Sequence, residues 1–244
     1  MKAVLFGATK GMGRALARQL AERGEKLFLL GRDASELERS AADLEVRGAG
    51  EVGHAVCDLL EPRGFAPALH RASEALGGFD TVIVSAALFA GQEPLEADFV
   101  LRDRLLVANF VNTVHFCEEA RVRLLAAGGG TLCVFSSVAG DRARKPVILY
   151  GAAKAGLSHY LTGLDHKFRR AGLRTVLVKP GFVRTRMTAG LPAPPFAGQP
   201  ERVARDILRA IDRGWPLVYT PGIWRLVMLA IRSLPRAVMR RVGF

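Results

Sequence analysis

The chain is poor in the residue types that build disulfide frameworks and metal sites. Its 244 residues include only three cysteines, Cys57, Cys117 and Cys133, which are widely spaced and form no C-x-x-C pair. An odd number of scattered cysteines argues against a disulfide framework or a cysteine-based zinc site, and favours a reducing cytoplasm. The five histidines show no H-x-x-x-H or similar ligand spacing. We therefore expect no metal site.

Long apolar runs and segments without apolar residues are both absent. No run approaches the ~20 apolar residues that a membrane-spanning helix needs, and the run after Met1 stops at Gly7, too early for the apolar core of a signal peptide. Half of the residues are hydrophobic, which excludes a disordered protein. No Pro/Gly/Ser-rich linker divides the chain, so we expect one α/β domain over residues 1–244. The cysteine usage and the lack of a long apolar segment lead us to expect a cytoplasmic protein.

Positive charge dominates, with 35 Lys and Arg against 23 Asp and Glu. A basic protein favours anionic partners such as nucleic acids, phosphorylated ligands or anionic membranes. The arginines are scattered and no nucleic-acid-binding motif is present, so we expect no nucleic-acid partner.

Short apolar runs alternate with segments of helical periodicity along the chain. Nearly continuous apolar runs are typical of parallel strands that are covered on both faces. The pattern predicts an α/β fold, a doubly wound parallel sheet (Rossmann fold) of about seven strands with helices on both faces. The predicted strands are 3–6, 27–30, 52–57, 81–84, 131–135, 175–178 and 217–219, and the main helices are 13–23, 35–47, 102–127 and 150–171.

Three glycines, Gly7, Gly11 and Gly13, lie in the first strand-to-helix turn. Glycines there permit a tight turn, let the backbone approach a pyrophosphate and let the helix pack closely on the sheet. The helix N-terminus adds N–H donors for phosphates. The alternative is a plain strand–helix turn. The G-x-x-x-G-x-G spacing, which includes Thr9, Lys10 and Met12, resembles the motif of the short-chain dehydrogenase/reductase family.

The end of the second strand predicts the choice of dinucleotide. An NAD-selective fold places an acidic residue there for the ribose 2′-hydroxyl, whereas this chain has Arg32, with Asp33 one residue later as a helix cap. Arg32 and Lys10 would pair with a 2′-phosphate, which favours NADP(H). The alternative is that Arg32 is an ordinary exposed residue.

A serine, a tyrosine and a lysine have spacings that suit carbonyl reduction. Tyr150 and Lys154 share one face of a predicted helix, and Ser137 ends the fifth strand 13 residues before Tyr150. A nearby ammonium lowers the pKa of a tyrosine, and a serine hydroxyl can polarise a carbonyl. Together they could protonate a carbonyl oxygen while hydride arrives from a nicotinamide. Ser136 points to the other face of the strand and is excluded.

With these motifs, residues 2–185 resemble the short-chain dehydrogenase/reductase family, and the resemblance implies a set of roles. Tyr150 would be the general acid in reduction, Lys154 would hold the nicotinamide ribose, and Ser137 would bind the carbonyl oxygen. Asn109, rather than Asn112, would hold a water next to Lys154. The implied cofactor contacts also include Asp58 and Leu59 at the adenine, Ala86, and Pro180, Gly181, Val183 and Thr185 at the nicotinamide. The family commonly forms homodimers or homotetramers through two long helices.

Two positions depart from the family pattern. The threonine that usually precedes the first glycine is Phe6, and the usual N-N-A-G after the fourth strand reads Val84, Ser85, Ala86 and Ala87. In the family those polar residues are linked by hydrogen bonds. Because both partners are replaced together, we expect an apolar contact in their place.

The loops that form the substrate mouth are rich in positive charge. Residues 141–145 and 184–186 carry five cations against one acid, and residues 186–200 form the predicted substrate loop. This predicts an anionic substrate or, alternatively, only a solvated basic surface.

The C-terminal tail, residues 221–244, combines arginines with apolar residues. At 100° per residue, Arg225, Arg232 and Arg236 fall on one helical face, and Ile223, Trp224, Leu226, Val227 and Leu229 supply apolar surface. Such a helix suits peripheral contact with an anionic membrane, and packing on the core or on a partner subunit is the alternative. We expect turnover of small ketones to survive removal of the tail.

Residues 136–142 and 218–228 resemble reductases of lipid-linked keto-sugars, a branch of the same family. This resemblance implies a lipid-phosphate substrate, which would account for both the cationic mouth and the tail. A 3-oxoacyl-thioester (acyl carrier protein) reductase is the alternative enzyme. A non-catalytic NADP(H)-binding scaffold or sensor is disfavoured because it has no need of Ser137, Tyr150 and Lys154.

Overall fold

The computed structural model describes residues 1–241, which include a seven-stranded sheet of order β3-β2-β1-β4-β5-β6-β7. Every neighbouring pair of strands is parallel, and the order reverses between β1 and β4. This arrangement confirms the prediction of a doubly wound α/β fold. The strands are β1 (Lys2–Phe6), β2 (Lys26–Gly31), β3 (Glu51–Val56), β4 (Thr81–Val84), β5 (Gly130–Phe135), β6 (Leu173–Pro180) and β7 (Leu217–Thr220).

The central strands are apolar on both faces because helices cover both faces of the sheet. Alternate residues of β1 enter different cores, with Val4 and Phe6 on one side and Ala3 and Leu5 on the other. This two-sided burial explains why the sequence shows continuous apolar runs instead of strict alternation. Within residues 1–241, no helix has the length and apolar character needed to cross a membrane.

The helices agree with the predicted segments in most places. The Asp33 carboxylate accepts a hydrogen bond from the Glu36 N–H at 3.0 Å and caps α2, as predicted. The helices are α1 (Gly11–Ala21), α2 (Ala34–Val46), α3 (Phe65–Leu76), α4 (Gln92–Ala97), α5 (Phe99–Leu106), α6 (Thr113–Ala126), α7 (Ile148–Phe168), α8 (Pro200–Arg213), α9 (Ile223–Ser233) and α10 (Arg236–Arg241).

The predicted long helix over 102–127 is confirmed as a continuous helical stretch from Phe99 to Ala126, but it contains an unpredicted π-helical turn, Val107–Asn112, between α5 and α6. The two buried asparagines of this turn bind the loops that follow β4 and β3. The Asn109 side chain accepts from the Leu88 N–H at 2.8 Å and donates to the Leu88 carbonyl at 2.7 Å. The Asn112 amide donates to the Leu59 carbonyl at 2.9 Å. Neither contact could be read from helical periodicity, because both partners are loop backbone groups.

The C-terminal tail forms two short helices, α9 and α10, which we call the C-terminal strap. Pro235 lies between them and, as a proline at that position predicts, interrupts the helix, so Arg236 does not share a helix with Arg225 and Arg232. The last three residues of the predicted tail, 242–244, lie outside the described residues.

Candidate active site

The carboxyl ends of the strands bring the predicted cofactor residues to one edge of the sheet. A cleft of about 260 Å³ opens there between the loops that follow β1, β2, β3 and β4. Parallel strands place their following loops side by side, which explains how residues far apart in sequence meet. The residues that were predicted from the sequence and line this cleft are Gly7, Thr9, Lys10, Arg32, Asp58, Leu59 and Ala86.

The glycine loop approaches its own backbone too closely for larger residues. Gly7 and Gly11 have φ angles of 100° and 55°, which glycine adopts at little cost. A Cβ added to Gly13 would lie 2.3 Å from the Gly7 carbonyl oxygen. Helix α1 begins at Gly11 without a side-chain cap, so the N-terminus of α1 beside Met12 is open to a phosphate. The loop therefore fits a dinucleotide pyrophosphate.

Two side chains that the sequence analysis missed hold the glycine loop. The Arg14 guanidinium donates to the Thr9 carbonyl at 2.7 Å. The Ser85 hydroxyl donates to the carbonyls of Phe6 and Gly7, at 3.2 and 3.1 Å. Serine at the position of a family asparagine was the available signal, because its short hydroxyl still reaches the loop.

The Phe6 ring packs in the core under the glycine loop. Its ring centroid lies 4.8 Å from that of Phe116 and 6.2 Å from that of Phe65. The expectation that an apolar contact replaces the polar link to the loop after β4 is wrong, because the Ser85 hydroxyl maintains a polar link.

At the end of the cleft beside β2, the acidic side chains have partners within residues 1–241, whereas the two basic side chains have no acidic partner there. Asp33 caps α2, and Glu36 pairs with Arg39 at 2.8 Å. Lys10 and Arg32 are exposed and have no acidic partner within residues 1–241. This end of the cleft therefore offers two cations to an anionic ligand.

The structure brings Ser137, Tyr150 and Lys154 together where β5 meets α7. The Ser137 side chain lies beside Tyr150 and opposes the rise of the Tyr150 pKa, and the Lys154 ammonium lies 5.8 Å from the Tyr150 ring centroid. The buried Lys154 ammonium donates to the Phe135 carbonyl at 2.9 Å. Ser136 instead bonds the Lys154 carbonyl at 2.9 Å, on the side away from Tyr150.

One aromatic contact at this site was not predicted. The Phe89 ring packs edge-on against the Tyr150 ring, with centroids 5.2 Å apart. Phe89 follows Leu88, which the Asn109 side chain anchors. The π-helical turn thereby helps to fix the aromatic wall beside Tyr150.

Burial sets the protonation states of the two titratable residues. It raises the pKa of Tyr150 to about 12, against a smaller lowering by the hydrogen bond with Ser137. It lowers the pKa of Lys154 to about 8. The expectation that Lys154 lowers the pKa of Tyr150 is thus wrong for the protein without ligand, because desolvation is the larger effect. At neutral pH Tyr150 keeps its proton and Lys154 keeps its charge.

The depressed pKa of Lys154 predicts a pH dependence of dinucleotide binding. Below pH 8 the ammonium is present, and it is lost as the pH rises through about 8. If this ammonium binds a ribose hydroxyl, affinity for NADPH should weaken between pH 7 and roughly pH 9.5. Fluorescence titrations across this range would show the change. Lys154→Met should bind more weakly and show no such step, and an equal step in that variant would contradict the assignment.

The segment after β6 meets the glycine loop from the other side. Val183 is buried, and two main-chain hydrogen bonds join its neighbours to Gly198. The Arg184 N–H donates to the Gly198 carbonyl at 2.9 Å, and the Gly198 N–H donates to the Phe182 carbonyl at 2.8 Å. A Cβ added to Gly11 would lie 3.5 Å from the Thr185 methyl group. The predicted contacts at Pro180, Gly181, Val183 and Thr185 therefore lie opposite the N-terminus of α1.

The C-terminal strap packs directly on this segment. The Trp224 indole lies across Gly181, where an added Cβ would be 2.1 Å from the ring. Its ring also meets Phe196 of the predicted substrate loop, with centroids 5.1 Å apart. Met228 packs with Val138, the residue after Ser137. The structure therefore gives Trp224 and Met228 the packing role that was the alternative to membrane contact, and survival of small-ketone turnover without the tail stays a prediction.

Two of the five cations at the substrate mouth hold the strap. Arg142 donates to the Leu234 carbonyl and Lys145 to the Arg240 carbonyl, both at 2.7 Å. The one acid, Asp141, pairs with Lys179 and accepts the Tyr219 hydroxyl at 2.8 Å. The prediction of five cations facing a substrate thus reduces to Arg144, Arg184 and Arg186. No cluster of three or more potential metal ligands occurs within residues 1–241.

Comparison with known proteins agrees with this geometry. The model of the short chain dehydrogenase family matches residues 1–194. An uncharacterised oxidoreductase of Mycobacterium tuberculosis is 34% identical over 239 residues, which are 98% of this chain and 96% of that protein. The cis-4-hydroxycyclohexanecarboxylate dehydrogenase of Sinomonas cyclohexanicum is 30% identical and covers 78% of this chain, with 76% of its own length aligned.

A solved structure shows the same fold. The short-chain type dehydrogenase/reductase from Mycobacterium ulcerans superposes with a TM-score of 0.83 at 19% identity, covering 98% of this chain and 97% of its own. Because the family model matches residues 1–194 and a relative is 34% identical over 98% of the chain, the chain belongs to the short-chain dehydrogenase/reductase family of oxidoreductases.

Proposed function

We propose that the chain is an NADP(H)-dependent reductase that converts a carbonyl group to an alcohol, with Tyr150 as the proton donor. The observation that carries this proposal is the proximity of the Ser137 and Tyr150 side chains, with the buried ammonium of Lys154 5.8 Å from the Tyr150 ring centroid. The pair follows β5, at the same sheet edge as the glycine loop. The chain would work as one catalytic domain, with 186–200 as its substrate loop.

The chain's own residues supply positioning and a proton. When bound, the nicotinamide supplies the hydride. The Ser137 hydroxyl donates a hydrogen bond to the carbonyl oxygen, and the protonated Tyr150 hydroxyl transfers its proton to that oxygen as negative charge develops there. The raised pKa of Tyr150 suits this direction, because the proton is present at neutral pH.

The remaining residues would bind the cofactor or position a water beside Lys154. An ammonium has three donors, so Lys154 can bind a ribose hydroxyl while keeping its bond to Phe135. Asn109 would hold a water beside Lys154. The segment Pro180 to Thr185 would hold the carboxamide through Val183 and Thr185, against the glycine loop.

The selectivity for NADP(H) rests on the unequal charges of the cleft. Lys10 and Arg32 are available to a 2′-phosphate, whereas Asp33 and Glu36 are already engaged by a helix N-terminus and by arginines. Asp58, which accepts from the Leu60 N–H at 2.9 Å, would contact the adenine together with Leu59, and Ala86 lines the same cleft.

We assign the substrate to anionic carbonyl compounds, with a lipid-linked keto-sugar as the favoured member. The relative from Sinomonas is named for a hydroxy acid, which is an alcohol that carries a carboxylate. The exposed apolar side of the strap favours a lipid-linked substrate over the alternative, a 3-oxoacyl thioester on its acyl carrier protein. A cofactor-binding scaffold would not need the Ser137–Tyr150 pair.

The outer side of the strap supports peripheral contact with the inner face of an anionic membrane. Leu226 and Leu229 are 63% and 64% exposed, Ile223 is 44% exposed, and α9 and α10 carry five arginines and no acid. Apolar burial and Coulomb attraction act together in such helices.

A double substitution on this outer side tests membrane contact without disturbing the buried Trp224. Leu226→Ser with Leu229→Ser should reduce cosedimentation with anionic vesicles, and added salt should weaken wild-type binding without abolishing it. Val46→Ser with Val56→Ser, at exposed positions elsewhere, is the matched control. Equal cosedimentation of all three proteins would contradict membrane contact through the strap.

A second apolar surface supports a homodimer or homotetramer. It includes exposed residues of the long helices on one side of the sheet, which are Phe99, Val100, Phe110, Val111, Val122 and Ile148. Exposed apolar patches of this kind commonly mark subunit interfaces.

A panel of carbonyl compounds tests the proposed reaction. Purified protein should oxidise NADPH in the presence of a keto-sugar, an acyl thioester or a simple ketone, with the highest kcat/KM for an anionic member. Absence of carbonyl-dependent oxidation across the panel would contradict the reductase assignment.

A further inference from the structure

The loop between Ser137 and Tyr150 contains a cation, Arg144, with one buried donor that has no acceptor within residues 1–241. Arg144 is half-buried, and its Nε atom is buried without a hydrogen-bond partner within residues 1–241. The neighbouring cations differ, since Arg142 and Lys145 each donate to a carbonyl of the strap. Burial also lowers the pKa of Arg144, with no acidic side chain to offset it.

A buried Nε donor without an acceptor is costly for the unliganded protein. Arginine stays charged at neutral pH, and the half-buried guanidinium of Arg144 is only partly solvated. An anion that enters the site would remove this cost and bind more tightly as a result. The planar guanidinium fits a carboxylate or phosphate with two parallel hydrogen bonds.

Arg144 lies in the loop that joins the two residues proposed to bind the carbonyl oxygen. It lies seven residues after Ser137 and six before Tyr150, and its carbonyl accepts the Val147 N–H at 3.2 Å at the entry to α7. The bonds from Arg142 and Lys145 to the strap flank it on both sides. The loop is therefore held in place around a cation whose buried Nε atom has no hydrogen-bond partner within residues 1–241.

We propose that Arg144 is the specificity-determining residue that binds the carboxylate or phosphate of the substrate while Ser137 and Tyr150 engage its carbonyl oxygen. The assignment rests on the proposed function, because it requires a carbonyl substrate at Ser137 and Tyr150. It deepens that function by naming the residue that selects anionic substrates.

A matched pair of aldehydes measures the selectivity. With NADPH, the ratio of kcat/KM for 4-carboxybenzaldehyde to that for its neutral methyl ester should fall about 10-fold to 100-fold in Arg144→Met. Arg144→Lys should recover part of the ratio. Arg170→Met, which removes an exposed arginine at the opposite sheet edge, should keep it. An unchanged ratio in Arg144→Met would overturn the proposal.

Thermal unfolding gives a readout that does not depend on turnover. Without ligand, Arg144→Met should unfold at the same or a higher temperature than wild type, because an unpaired buried charge has been removed. A much lower midpoint would show a structural role and overturn the proposal. Benzoate and inorganic phosphate, tested separately, distinguish carboxylate from phosphate binding: at least one should raise the midpoint of wild type and of Arg170→Met but not of Arg144→Met.

These readouts separate the two assignments. If neither aldehyde is reduced while an anion still stabilises wild type but not Arg144→Met, the anion site stands and the proposed reaction is contradicted. If both aldehydes are reduced with the same ratio in every variant, the reaction stands and the role of Arg144 is overturned. Equal stabilisation of all variants by either anion likewise overturns it.

Discussion

Replacing Tyr150 with phenylalanine is expected to lower kcat for carbonyl reduction by about 10²-fold to 10⁴-fold, the usual contribution of a positioned general acid. The side chain keeps nearly its volume among Phe89, Leu95 and Leu105. The stability loss should therefore stay near ~1 kcal/mol, the net value of the lost hydrogen bond with Ser137. Steady-state rates together with thermal midpoints measure both effects.

A matched substitution separates the lost acid from a general disturbance. Tyr160→Phe also removes a hydroxyl on α7, one that donates to Glu118 at 2.6 Å on another side of the helix. It should retain most turnover. If Tyr150→Phe keeps wild-type rates, or if Tyr160→Phe loses as much activity, Tyr150 is not the proton donor.

The second large effect concerns the dinucleotide. Replacing Lys10 and Arg32 together by glutamine should weaken NADPH binding by roughly 100-fold, about 10-fold for each exposed cation after screening by solvent. NADH lacks the 2′-phosphate, so its affinity should change little. Titrations of both dinucleotides with wild type and variant give the selectivity directly.

Two cations at the opposite edge of the sheet provide the control. Arg23→Gln with Lys26→Gln removes the same charge near the start of β2, at residues that pair with Asp212 and Glu51. NADPH affinity should stay near the wild-type value in this variant. An equal loss in both double variants would show that net charge, rather than contact at Lys10 and Arg32, holds the phosphate.

The parts of the fold that depend on local patterning could be predicted from the sequence. Continuous apolar runs marked the strands because both sheet faces are covered, and Asp33 marked the start of α2 because a cap acts within one turn. The π-helical turn at Val107–Asn112 could not be found this way. Its asparagines bind the loop backbone at Leu88 and Leu59, which are contacts between distant parts of the chain.

In the active site, too, the local pattern could be predicted from the sequence and the effects of tertiary packing could not. Spacing alone identified Ser137, Tyr150 and Lys154, because a strand end and one helical turn fix their separation. The state of these groups depends on burial, which sequence spacing does not report, so the direction of the Tyr150 pKa shift was wrong. The sequence left Trp224 open between a membrane surface and packing on the core for a similar reason, since only the packed structure places its ring on Gly181.

The cations of the substrate mouth show a further limit of prediction from sequence composition. Composition counted five positive charges, and only the structure separates those that bind the strap from Arg144, which has no acceptor in the described residues. Charge counts predict an anionic partner in general terms, whereas the unsatisfied donors of a single side chain predict where it binds.

The central claim is that the Ser137–Tyr150–Lys154 site reduces a carbonyl with hydride from NADPH, and isotope transfer tests it most directly. NADPH carrying deuterium on the transferred position at C4 would be incubated with the protein and the carbonyl panel. Mass spectrometry of the alcohols should show one deuterium on the carbinol carbon with wild type and almost none with Tyr150→Phe. Alcohol formed without deuterium on that carbon, or no alcohol from any carbonyl, would contradict the claim.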